Sequence, residues 1–207
     1  MNNIVGIRFS VYGQVHYCDA QKLELSLGEL QEMEINFNSQ TNLSNYLERI
    51  YNKTASLFLA AAKIGPIITE KESKYKDALE SYGKNLGLTF QIADDALDYN
   101  SDLKLFGKNI GNDFFEGKVT LPIIFLYQKA NKNEKLFLEK TFKKQKRSSQ
   151  EFDEIQNLIK KYNSINLCFK RAEHFVNISY NALNIFNPSR EKTVLQNLTS
   201  YSLERSF

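Results

Sequence analysis

Residues Gly83 to Lys118 read GKNLGLTFQIADDALDYNSDLKLFGKNIGNDFFEGK, and the periodicity of this stretch decides the fold. At about 100° per residue, a helix over Lys71 to Asp98 brings Gln91, Asp94, Asp95 and Asp98 into an arc about 100° wide, joined by Gly87. Tyr75, Ala78, Leu79, Tyr82, Leu86, Phe90, Ala93 and Leu97 recur on the opposite side of the cylinder. The expectation is one packing face and one face bearing three carboxylates. Like charges at i,i+4 cost a few tenths of a kcal/mol per pair, so a cation belongs there. Mg²⁺ suits such a face, because it binds through one or two carboxylates while keeping waters and phosphate oxygens as its other ligands. Lys108 and Lys118, just downstream, can add positive charge for those phosphates. On the DDxxD spacing alone, a solvated acidic face is an equal alternative.

Upstream, Ser44 to Ile64 places Leu47, Ile50, Tyr51, Thr54, Phe58, Ala61 and Ala62 at helical spacing. Its second half, ASLFLAAA, is apolar nearly all round, the pattern of a buried helix. Lys53 and Thr54 in that setting need polar partners, unless the lysine snorkels outward. Gly65-Pro66 is expected to stop the helix. Gly83 and Gly87 each cost a helix about 1 kcal/mol against alanine, which calls for a close neighbour, either another helix or a ligand tail. Asn100 to Gly117, with three glycines, reads as an irregular loop, and Thr120 with Pro122 reads as a helix start. Further helices are expected at roughly 121–144, 150–162, 165–186 and 189–204. Asp19 can cap a helix through about Ile35, whereas Met1 to Tyr17 alternates weakly like a hairpin, so residues 1–18 stay unassigned.

The chain has 207 residues, 42% hydrophobic and 25% charged, with a formal net charge of +3. These values fit one folded domain, leave room for a second, and exclude a disordered chain. The charge does not point to nucleic acid. KKQKR, Lys143 to Arg147, lacks interleaved aromatic residues and reads as a solvated loop. Cys18 and Cys168 are each isolated in sequence, which argues against a zinc knuckle or a disulfide framework and fits a reducing cytosol. No apolar run has the length of a membrane span. His16 and His174, the latter near Arg171 and Glu173, read as surface residues.

FQIADDALD followed by LFGKNIGNDFFEGKVTLP resembles the second aspartate-rich motif and adjoining loop of the trans-prenyltransferases, the polyprenyl diphosphate synthases. LERIYNKTASLFLAAAKIG is similar to the same family's KT-containing helix. The resemblance runs from about Gly28 to Pro122, with a weaker helical tail to Phe207. It implies an all-α bundle of the isoprenoid synthase type over residues 19–207, incomplete at its N-terminus. It further implies transfer of an allylic diphosphate onto isopentenyl diphosphate. By resemblance Asp94 is a direct Mg²⁺ ligand, with Asp95 and Asp98 acting directly or through water. Lys53, Lys108 and Lys118 would neutralise the allylic diphosphate. Thr54 and Gln91 would sit beside the developing cation, and Phe90 would line the region of the condensing partner. A glutamine near GELQEME, where this chain has Gln31 and Glu32, belongs to the same family pattern.

The departures matter as much. Full members carry an earlier DDxxD or DDxxxxD motif followed by arginines, and a lysine-arginine pair with a histidine for isopentenyl diphosphate. None of these precedes Gly28. The expectation is therefore a C-terminal portion whose turnover is impaired alone, in a homodimer or with a complementing subunit. A second reading is a non-catalytic subunit that dimerises with a complete enzyme. A third, an unrelated helical Ca²⁺ or phosphate binder, explains the acids but not FQ, KT and GK.

Overall fold

A computed structural model describes residues 42–100 and 110–204. The hairpin and first-helix expectations, Cys18, Gln31, Glu32, His16 and Lys108 lie outside them. The described residues form an all-α structure, built around a 25-residue helix, Ser73–Leu97, that spans about 37 Å. In chain order the helices are α1 (Leu43–Ile50), α2 (Ser56–Ile68), α3 (Ser73–Leu97), α4 (Asn112–Glu116), α5 (Leu121–Lys129), α6 (Lys132–Phe142), α7 (Ser149–Tyr162), α8 (Ser164–Ala182) and α9 (Arg190–Glu204). Helix α3 packs most extensively against α8 on one side and α2 on another.

That central position overturns the two-faced helix expected from periodicity. From Tyr82 to Tyr99 only Lys84 and Asp94 are exposed. Asp95, next to Asp94, is buried. Gly83 and Gly87 are the reason α2 can come so close. A Cβ at Gly83 would lie 2.5 Å from the Phe58 carbonyl oxygen, and one at Gly87 would lie 2.5 Å from Ala55 Cα. The close neighbour is thus a helix backbone.

The single helix expected over Ser44 to Ile64 is divided by one π-turn, Tyr51–Ala55, that contains both Lys53 and Thr54. Such turns insert one extra residue into a helix and recur at functional sites. Gly65-Pro66 does not end it. Helix α2 continues to Ile68 and is closed by Thr69, whose N–H and hydroxyl both donate to the Gly65 carbonyl at 3.1 and 2.9 Å. Nor is ASLFLAAA buried all round, since Leu57 is 48% exposed and Ala61 is exposed too.

Downstream, the helix expected over 121–144 is two. Ala130 turns extended, and Asn131 restarts the chain with a capping box to Glu134, at 3.0 and 2.9 Å. Thr120 does occupy the N-cap of α5, with Pro122 in the first turn, but its hydroxyl makes no capping bond. Within KKQKR, Lys143, Lys144 and Lys146 are exposed, whereas Arg147 turns inward and donates to the Phe142 and Phe115 carbonyls at 2.9 and 3.3 Å. Phe114, Leu121, Ile124, Leu138, Phe142 and Ile155 are among the fully buried side chains of the main core. No helix among the described residues is long and apolar enough to cross a membrane.

Candidate functional site

The π-turn between α1 and α2 faces the last third of α3, and a chain of side-chain hydrogen bonds joins them. The Thr54 hydroxyl donates to Gln91 Oε1 at 2.7 Å. Gln91 Nε2 donates to Asp95 Oδ1 at 2.7 Å, and the Tyr46 hydroxyl donates to Asp95 Oδ2, also at 2.7 Å. Residues from both motifs, KT and FQIADD, are thereby brought into one network. Lys53 is half-buried beside Thr54 on the same turn. The Phe90 ring packs on Phe58 with centroids 5.4 Å apart.

Burial sets the electrostatics. Loss of solvent pushes the Asp95 carboxyl up to about 6, while the hydrogen bonds from Gln91 and Tyr46 and the charge of Arg49 pull it back down. Burial, then the neighbouring Asp95 charge, hold the Tyr46 hydroxyl well above its ordinary value. Arg49 is buried, donates to the Val119 carbonyl at 2.8 Å, and lies over the Tyr46 ring at 5.5 Å. Its Nη1 atom has no partner among the described residues.

The three aspartates occupy three different environments. Asp94 is exposed, and no described residue donates to its carboxylate. Asp98 accepts from three consecutive backbone N–H groups, Gly111 at 3.1 Å, Asn112 at 3.0 Å and Asp113 at 2.9 Å, and so caps α4. Burial raises its carboxyl, and those three donors oppose the rise. Lys118, after the loop, pairs with Glu116 at 2.7 Å and lies 3.8 Å from Asp113. Among the described residues, no three carboxylate, imidazole or thiolate groups form a cluster able to enclose a metal ion. The donor set instead fits a hard cation held by the free oxygens of Asp94, with water and phosphate oxygens completing its shell.

Helical spacing singled out Gln91, Asp94, Asp95, Asp98 and Thr54, and the family resemblance added Lys53; neither singled out Tyr46 or Arg49, which join the same enclosure. Their signal was present in YLERIYNKT, residues 46–54: Tyr46, Arg49 and Lys53 stand at i, i+3 and i+7, beside the apolar positions that were counted.

Comparison with known proteins converges on one family. The profile described as Polyprenyl synthetase matches residues 12–159. An octaprenyl diphosphate synthase of Haemophilus influenzae is 30% identical over 183 residues, covering 88% of this chain and 55% of that protein. Component 2 of a Bacillus subtilis heptaprenyl diphosphate synthase is 31% identical over 187 residues, covering 89% and 52%. The crystal structure of a polyprenyl synthase from Caulobacter crescentus, complexed with calcium and isoprenyl diphosphate, superposes with a TM-score of 0.87 at 28% identity, over 95% of this chain and 60% of that one. The chain spans about half the length of the curated relatives it matches.

Proposed function

Because this chain belongs to the polyprenyl synthetase family, we propose that it serves isoprenoid biosynthesis by carrying the C-terminal half of a Mg²⁺-dependent prenyl transfer site. In the reaction an allylic diphosphate loses its diphosphate, the double bond of isopentenyl diphosphate attacks the resulting cation, and a proton leaves. Bound Mg²⁺ would neutralise the departing diphosphate. Asp94 offers the direct ligand, and the charges of the buried Asp95 and the half-buried Asp98 add to the field around it. Lys53, Lys108 and Lys118 would supply further positive charge to the diphosphate. Thr54 and Gln91 present hydroxyl and carbonyl oxygens to the developing cation, and Phe90 borders the condensing partner. The placement is cytosolic, with contact to a membrane through the hydrophobic product.

The observation that supports this reading most is the bond between Thr54 and Gln91, which unites two motifs 37 residues apart. Turnover by the chain alone is expected to be impaired, as half of the carboxylate clamp is not in its sequence. The purified chain, given Mg²⁺, radiolabelled isopentenyl diphosphate and geranyl or farnesyl diphosphate, should bind magnesium pyrophosphate yet yield little extended product. Elongation at the rate of a full-length relative would overturn the impaired reading, and failure to bind magnesium pyrophosphate would overturn the site.

A second reading, a non-catalytic subunit that pairs with a complete enzyme, draws on the exposed apolar side chains Leu57, Ile64 and Ile68 of α2 and on the relative named as component 2. Mixing the chain with a full-length relative and finding altered activity would favour it.

A further inference from the structure

We infer that Tyr46 is a positioning residue: through Asp95 it fixes the direction of the Gln91 amide, so that the Gln91 carbonyl oxygen faces Thr54 and the reacting region. The inference rests on the site reading above, but its first test does not. A glutamine amide is nearly symmetric in shape, and either end can face a neighbour. Asp95 removes that freedom. Its ionised carboxylate only accepts, so Gln91 must present Nε2 to it, as the 2.7 Å contact with Oδ1 records. Reversal would set two acceptors against each other in a buried pocket, with no hydrogen between them. The carbonyl end is then left for the Thr54 hydroxyl at 2.7 Å.

Asp95 could do this only if its own carboxylate did not rotate, and rotation about that bond is soft. Tyr46 supplies the restraint. Its hydroxyl donates to the second oxygen at 2.7 Å, and the side chain is 0% exposed. Arg49, buried and bonded to the Val119 carbonyl, brings a compensating positive charge to the same enclosure. The motif therefore divides its labour: the exposed Asp94 is available to a cation, whereas Asp95, one residue on, is spent on orienting Gln91. Tyr46 touches neither substrate nor metal in this arrangement and acts through Asp95 alone.

Two measurements on the full chain separate these roles. Selective ¹⁵N-glutamine labelling reads the Gln91 side-chain amide, assigned by its loss in Gln91→Ala. In the unaltered chain it should show two distinct protons, one shifted by its carboxylate partner and slow to exchange. Tyr46→Phe and Asp95→Asn should each move that signal toward the position of a solvated amide, and Asp94→Asn should leave it in place. Calorimetry with magnesium pyrophosphate should show the opposite pattern: Asp94→Asn weakens binding about tenfold or more, whereas Tyr46→Phe stays within about twofold. An unmoved Gln91 amide in both Tyr46→Phe and Asp95→Asn would overturn the inference. So would a loss of pyrophosphate affinity in Tyr46→Phe equal to that in Asp94→Asn. If the unaltered chain binds no pyrophosphate, the functional reading fails by itself, and the amide signal still decides the role of Tyr46.

Discussion

Replacing Gly87 by alanine tests the helix contact on which the site depends. In an open helix the change stabilises by about 1 kcal/mol through propensity. Here the new Cβ would meet Ala55 Cα at 2.5 Å, Ala55 Cβ at 2.9 Å and Phe58 Cβ at 3.2 Å. The nearest of these is backbone and cannot rotate away. Ordinary carbon contact is about 3.5 Å or more, so α2 and the π-turn must retreat by about 1 Å. Overpacking of this kind costs about 3 kcal/mol at the upper end of its usual range, leaving a net loss of about 2 kcal/mol. For a chain of this size that lowers the melting temperature by roughly 4–8 °C. Gly65 is the control. It is exposed in α2 with nothing within 4 Å of its would-be Cβ, so Gly65→Ala should stabilise by about 0.5–1 kcal/mol. Both are read by urea and thermal unfolding followed by far-ultraviolet circular dichroism. A Gly87→Ala chain as stable as its parent, or both variants shifting in the same direction, would refute the close-packing argument. Because Ala55 adjoins Thr54, the same variant should also loosen the Thr54–Gln91 bond.

Asp98→Ala leaves the Asn112 and Asp113 N–H groups at the start of α4 without their acceptor, while Gly111 N–H keeps the Asp98 backbone carbonyl at 2.7 Å, and should cost about 1–2 kcal/mol, with faster hydrogen exchange at Asn112 and Asp113. The pH dependence of stability carries the signature of Asp95. Its folded value, about 6, lies above its reference of 3.8, so the folded chain holds the proton more tightly than the unfolded one. The contribution favours folding below pH 4, declines as pH rises through 6, and is lost above it, a change of at most about 3 kcal/mol. Denaturation midpoints measured from pH 4 to 7 should show that decline in the parent chain and a flatter profile in Asp95→Asn.

By itself the sequence determined that the described residues are helical, where α7 and α9 lie to within a few residues, and, through KT and FQIADD, the family to which the chain belongs. These are properties of residues close along one chain, where spacing of 3 or 4 is also spacing in space. Boundaries set by local chemistry, such as the capping box of Asn131 and Glu134, were legible too, though overlooked beside the apolar run that crosses them. Only the tertiary structure decided which aspartate meets solvent. Asp94 and Asp95 differ by one helical step, and periodicity treats them alike. The packing of α1 and α8 around α3 buries one, gives it Tyr46 from 49 residues away, and leaves its neighbour outside. The same holds for Arg147, drawn out of a basic run by carbonyls at Phe142 and Phe115, and for the π-turn at Lys53. A side chain's environment is fixed by what other helices bring to it, and no pattern within its own segment contains that information.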